Sequence, residues 1–209
     1  MYFDDGIYPE FTMARTSNMV KHFSKEFFSG KKVLELGCGY GGAGTLIEGM
    51  DATVVESDVR KEHLEVVKRR YPGRETLLID CNKDEFPGKY DMVFAFGLLY
   101  HLDSPAHFIE QCARVAPVVC FCSIVVDSKE PVCNTLPAEM DFDQSITNKC
   151  CIASPAWIME KLTACGYKAR DISSVTANVP GNEFAWAAIN DGKYERSGKY
   201  LRRMFVGNK

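Results

Sequence analysis

Short apolar runs alternate with stretches whose apolar positions recur three or four residues apart. Residues 33–36, 52–56, 76–80, 90–96 and 118–126 read as strands, and 42–50, 60–71 and 103–116 as helices. In 60–71, Leu64, Val67 and Tyr71 share a face that ends at Pro72-Gly73. Asp103-Ser104-Pro105 starts the next helix with a capping side chain and a proline in its first turn. Ahead of these elements, 12–29 carries Met13, Val20, Phe23 and Phe27 at helical spacing and stops at Gly30. The alternation predicts an α/β fold, a parallel sheet with helices on both faces.

After residue 126 the rhythm breaks. The polar segment 127–149 has no clear period and is long for a plain connection, which suggests a lid or substrate loop. A helix follows over 157–165, opened by Ser154-Pro155 and stopped by Gly166. Residues 167–175 and 183–190 flank a turn-rich 177–182 and read as an antiparallel hairpin at the sheet edge.

The strand over 33–36 runs into five glycines in eight residues, Gly37-Cys-Gly39-Tyr-Gly41-Gly-Ala-Gly44. Such density marks backbone that takes positive φ or passes close to a ligand. Gly39 to Gly44 matches G-x-G-x-x-G, the dinucleotide fingerprint, which alone is weak. A second frame, Glu35-x-Gly37-x-Gly39-x-Gly41, places an acid two residues ahead of glycines at every second position. Glu35 sits in an apolar strand, where an unpaired carboxylate is costly, so it calls for a partner.

Composition narrows the class. The 209 residues suit one domain over 1–209, with 46% apolar and 25% charged residues as in ordinary globular proteins. No long apolar run spans a membrane, and Met1-Tyr-Phe-Asp-Asp lacks a secretory signal, so a cytoplasmic chain without a membrane partner is expected. The nine cysteines show no zinc spacing and read as reduced core residues, with no metal expected. A net charge of −3 argues against a broad nucleic-acid surface. The tail 191–209 is the exception, a basic segment with Tyr194, Tyr200 and Phe205 that reads as a solvated terminus.

The run V-L-E-L-G-C-G-Y-G over 33–41 resembles the first motif of class I S-adenosylmethionine-dependent methyltransferases. The resemblance implies a Rossmann-like, doubly wound, mostly parallel seven-stranded sheet with a C-terminal antiparallel hairpin. It implies S-adenosylmethionine as cofactor and S-adenosylhomocysteine as product. Gly37, Cys38, Gly39 and Gly41 would pass under the methionine part, with Glu35 positioning its amino group. Glu56, with Ser57 beside it, would accept from the ribose hydroxyls. Asp80 and Cys81 would meet the adenine, Asp80 alternatively capping its own turn. Phe96 and Gly97 open a stretch similar to F-x-x-L-x-H-L that ends in Tyr100, His101 and Leu102.

Ligands of open parallel sheets bind at the carboxyl ends of strands, where these landmarks fall. His101 is the candidate general base, or a structural residue at a helix start, and Tyr100 the second choice. His22, His63 and His107 fall in helices and read as surface residues. The segment 1–30 would cap the cleft, with Tyr8 and Arg15 at the methionine carboxylate. Trp157 would line the acceptor pocket or join the core. The acceptor expected is an O or N atom of a small molecule. Alternatives are a tRNA-nucleoside or protein acceptor, an NAD-dependent oxidoreductase, or a non-catalytic cofactor-binding subunit. Oligomeric state is left open.

Overall fold

The computed structural model describes residues 3–138, 144–181, 183–186, 189, 191–192, 195–196 and 199–209. Helix α1 (Tyr8–Phe23) leads into β1 (Lys32–Leu36), α2 (Gly42–Glu48), β2 (Thr53–Asp58), α3 (Lys61–Arg70), β3 (Glu75–Leu78) and β4 (Met92–Phe96). A short 3-10 turn, Leu99–His101, precedes α4 (Pro105–Val115) and β5 (Val118–Ile124). Then follow β6 (Cys133–Pro137), β7 (Lys149–Ala153), α5 (Pro155–Ala164), β8 (Lys168–Asp171), β9 (Glu195–Arg196), β10 (Lys199–Tyr200) and β11 (Arg202–Asn208).

The main sheet has seven strands in the order β3-β2-β1-β4-β5-β11-β8. Strands β1 to β5 pair in parallel, whereas β11 runs antiparallel to both β5 and β8. Strand order reverses between β1 and β4, the switch point at which such sheets open a crevice. Side chains alternate between two cores. Val33, Met92, Phe94, Cys120, Cys122 and Met204 join Met19 of α1 and Ile47 of α2 on one face. Leu34, Val93, Phe121 and Phe205 join Phe108 and Ile109 of α4 and Ile158 and Leu162 of α5 on the other. Both faces are covered, so the central strands read as continuous apolar runs. All nine cysteines are free thiols, and Cys38, Cys81, Cys112, Cys120, Cys122 and Cys151 are buried.

The expected α/β fold is present, with three shifts. Helix α1 starts at Tyr8, with Pro9 in its first turn, and ends at Phe23; Phe27 then folds back to stack on Phe23 at 4.8 Å. Within the segment expected to form a lid, Cys133–Pro137 form β6, which pairs antiparallel with β7 from Cys133↔Ala153 to Pro137↔Lys149, while residues 139–143 lie outside the described residues. Asn134, Thr135 and Pro137 within β6 give it no apolar period to read.

The C-terminal antiparallel pair is formed by β8 and β11, Arg202–Asn208; of the expected second arm 183–190, residues 187, 188 and 190 lie outside the described residues. The tail is therefore no solvated terminus. Arg202 and Arg203 interrupt its apolar pattern, yet both are buried, as are Met204, Phe205 and Val206. Tyr194, with residues 193, 197 and 198 of that tail, lies outside the described residues. Among the described residues, no helix is long and apolar enough to cross a membrane.

Candidate active site

The loop after β1 is a chain of backbone turns in which Gly37, Gly39 and Gly41 all take positive φ. Two hydrogen bonds tie it to β2: Cys38 N donates to Ser57 O at 2.9 Å, and Gly39 N to Asp58 Oδ2 at 3.0 Å. Gly41 then caps α2 in the left-handed conformation. Beneath the loop, Gly44 N donates to Glu35 Oε2 at 2.9 Å, so the first turn of α2 rests on a carboxyl group from β1. A Cβ on Gly44 would lie 2.1 Å from Glu56 Oε1, so only glycine lets α2 approach β2 this closely.

Glu35 and Glu56 pair across the β1–β2 ladder, and both are buried. Burial first, and then the charge of Glu56, push the Glu35 carboxyl well above the usual carboxylate range. Burial raises Glu56 as well, while its hydrogen bond with Glu35 and the Arg74 guanidinium pull the other way. Arg74 Nη1 lies 2.8 Å from Glu56 Oε1, and Glu56 Oε2 is a buried oxygen with no donor unless Glu35 supplies its proton. We therefore assign the proton to Glu35 and the charge to Glu56.

Glu35, Glu56 and Ser57 thus lie under the loop, outside the residues that line the cavity. Ser57 donates its hydroxyl to Glu35 O at 3.1 Å. Cys38 packs with Leu64 and Val67 of α3, and Gly39 and Gly41 shape the loop without lining the cavity.

The cavity opens at the switch point and measures about 700 Å³, within the usual range for ligand pockets, ~300–1,000 Å³. Of the expected residues, Arg15, Gly37, Asp80, Cys81, Phe96, Gly97, Tyr100 and His101 line it. Asp58 replaces Glu56 at the end of β2. The strand continues two residues past Glu56 because Ser57 and Asp58 stay in register with Leu77 and Leu78. Asp58 Oδ1 accepts from Arg60 N at 2.9 Å, and His63 Nδ1 lies 3.2 Å from Oδ2.

His63 is accordingly buried, against its expected surface position. Asp80 faces the cavity and also caps its turn, accepting from Asn82 N at 3.0 Å. Asn82, unforeseen from sequence, accepts from Asp103 N and Ser104 N and fixes the start of α4 beside the cavity. Trp157 packs in the core and its indole carries Lys161 at 5.5 Å, away from the cavity.

Three further segments line the cavity. From α1 come Tyr8, Phe11 and Arg15; from the β6–β7 insertion, Leu136, Ile146 and Ile152; from the C-terminal part, Phe184, Tyr200 and Arg202. Arg60 Nη2 donates to Gln144 O at 2.9 Å and pins the insertion to the start of α3. The Tyr100 and His101 rings lie 4.1 Å apart at the end of the 3-10 turn after β4. Arg15 Nη1 lies 3.4 Å from where a Cβ of Gly97 would stand. Burial, and then the facing Arg202, hold its pKa below the usual arginine value.

Comparison with known proteins agrees with this architecture. A family model described as a methyltransferase domain matches residues 34–117. The chain is 32% identical over 94 residues to the ubiquinone biosynthesis O-methyltransferase of Proteus mirabilis, covering 41% of this chain and 38% of that one. To the corresponding Vibrio parahaemolyticus protein it is 37% identical over 95 residues, covering 41% and 39%. The match therefore spans well under half the length of these relatives. Among solved structures, the N-terminal domain of EvdMO1 with S-adenosylhomocysteine and D-fucose superposes with a TM-score of 0.72 at 16% identity, covering 93% of this chain and 82% of that one. Magnesium protoporphyrin IX methyltransferase from Synechocystis with bound S-adenosylhomocysteine gives 0.63 at 15% identity, covering 97% and 83%.

Proposed function

We propose that this chain is a class I S-adenosylmethionine-dependent methyltransferase that moves a methyl group from that cofactor to an O or N atom of a small molecule. The observation that carries the reading is the cavity itself. It runs from Asp58 at the end of β2, past Gly37 and Gly97 at the switch point, to His101 and a far end lined by Leu136, Ile152, Phe184 and Arg202.

The residues present fit the cofactor. Asp58 is a carboxylate for the ribose hydroxyls, and Asp80 and Cys81 flank the adenine position. Arg15, a cation without a carboxylate partner among the described residues, suits the methionine carboxylate beside Gly97. The bound cofactor supplies an electrophilic methyl group, so the protein has mainly to align an acceptor atom and remove its proton. Alignment of this kind is worth as much as ~7–11 kcal/mol in ideal cases.

His101 and Tyr100 stand where an acceptor hydroxyl or amine would enter, and His101 takes up the departing proton. A cavity of about 700 Å³ suits a small acceptor better than a protein or tRNA. The occupied Gly44 amide argues against a dinucleotide, because the α2 terminus that would receive pyrophosphate already holds Glu35.

Calorimetry tests the reading. S-adenosylhomocysteine is expected to bind, and NAD is not. Binding of NAD alone would replace the reading with a dehydrogenase. Methyl transfer from labelled cofactor to a metabolite pool then tests turnover.

A further inference from the structure

We propose that Arg202 holds a carboxylate of the methyl acceptor, so that the acceptor is an apolar-bodied carboxylic acid; this rests on the methyltransferase reading above. The two arginines that open β11 have opposite fates. Arg203 lies with Nε 3.3 Å from Asp171 Oδ2, an ordinary ion pair at the sheet edge. Arg202 points to the other side, is 2% exposed and lines the cavity.

Its side-chain hydrogen bonds go to Cys122 and Tyr100, not to a carboxylate counter-ion. Nη1 donates to Cys122 Sγ at 3.5 Å, and the guanidinium lies 4.0 Å from the Phe184 ring centre and 5.3 Å from that of Tyr100. Its Nε is buried with no acceptor, and no carboxylate of the described residues pairs with it. A buried cation of this kind is costly unless something neutralises it.

Arg15 stands in the same cavity, also without a carboxylate, and the two like charges face each other. One carboxylate, that of the cofactor's methionine part, suffices for Arg15 beside Gly97. Arg202 pairs with Ile124 at the end of β5, one strand further along the sheet and beyond Tyr100. A second anion is needed there, and the acceptor is what remains to bring it. The guanidinium fork matches a carboxylate through two parallel hydrogen bonds. Phe184 lies against it, and Ile124, Leu136 and Ile152 line the same cavity, apolar surface that fits an aromatic or aliphatic body.

The test compares acids with their own amides. Benzoate, 3-phenylpropionate and octanoate, each against the matching primary amide, are titrated calorimetrically into the whole protein with and without S-adenosylhomocysteine. At least one acid is expected to bind ten-fold or more tightly than its amide. Arg202→Met is expected to abolish that preference while leaving the affinity for S-adenosylhomocysteine within two-fold. Arg202→Lys, which keeps the charge, retains the preference at reduced affinity and guards against a folding defect in the first variant.

Equal binding of acids and amides, or no binding of any, overturns the proposal. So does a loss of S-adenosylhomocysteine affinity in the Arg202 variants, which would place the cofactor's carboxylate on Arg202. Failure of the wild-type protein to bind S-adenosylhomocysteine sinks the cofactor reading separately, and the acid–amide comparison without it still reads Arg202.

Discussion

Glu35 and Glu56 are direct register partners on adjacent parallel strands and share one proton beneath the glycine loop. In the unfolded chain a glutamate titrates near ~4.3, whereas the folded Glu35 holds its proton to a higher pH. Between those two values the native state binds a proton that the unfolded state has lost, so stability falls as pH rises through the window. Glu35→Gln keeps a donor for Glu56 and an acceptor for Gly44 without titrating. Urea unfolding across pH 5 to 8 should show the wild-type decline flattened in this variant, and an unchanged slope would contradict the shared proton.

The space under the loop makes a second expectation. Gly44→Ala sets a methyl group against Glu56, whose carboxylate cannot swing away because Arg74 holds it. Overpacking of this sort costs about 1–3 kcal/mol. Glu56→Ala leaves Arg74, 3% exposed, with less compensation, and removing one member of a buried pair costs about 3–5 kcal/mol. Both losses should appear in chemical denaturation.

Asp58 is expected to answer for the ribose. Asp58→Ala removes the acceptor of Gly39 N and Arg60 N as well as the candidate ribose contact. Hydrogen bonds to charged groups are worth about 1.5–3 kcal/mol, so the affinity for S-adenosylhomocysteine should drop ten-fold or more. A variant that binds as tightly as wild type would return the ribose to another residue.

For His101 the expectation separates chemistry from binding. His101→Ala should lower kcat by about 10²–10⁴, the usual contribution of a general base, with the S-adenosylhomocysteine Kd unchanged. Unchanged kcat with a lowered Tm would make His101 a structural residue of the 3-10 turn.

Strands that are buried on both faces were legible because apolar runs and glycine or proline punctuation mark them unambiguously. The glycine loop was legible for the same reason, since few side chains tolerate its backbone. The acid at β2 was not. Glu56 and Asp58 differ by two residues, and only the twist at the strand end and the register with β3 decide which one reaches the cavity. One local signal was available: Asp58 also caps Arg60 N just ahead of α3, as an acid between a strand and a helix commonly does. Strand β11 hid behind Arg202-Arg203, because a pair of adjacent arginines reads as surface until its long-range partners are known. Nothing local announces Arg202 as a cavity residue, since Phe184, Tyr100 and Cys122 meet it only through the fold.

The placement of β11 between β5 and β8 has a consequence for how the molecule is made. Strand β5, apolar but for Ser123, waits for a neighbour roughly 80 residues further along the chain. Until that neighbour emerges from the ribosome, the nascent sheet ends in a bare, sticky edge of the kind that invites strand addition from other chains. Pairing at such separation is slow by nature. Strand β11 thus shields the edge left by the parallel half of the sheet, and it delivers Arg202 to the cavity in the same step.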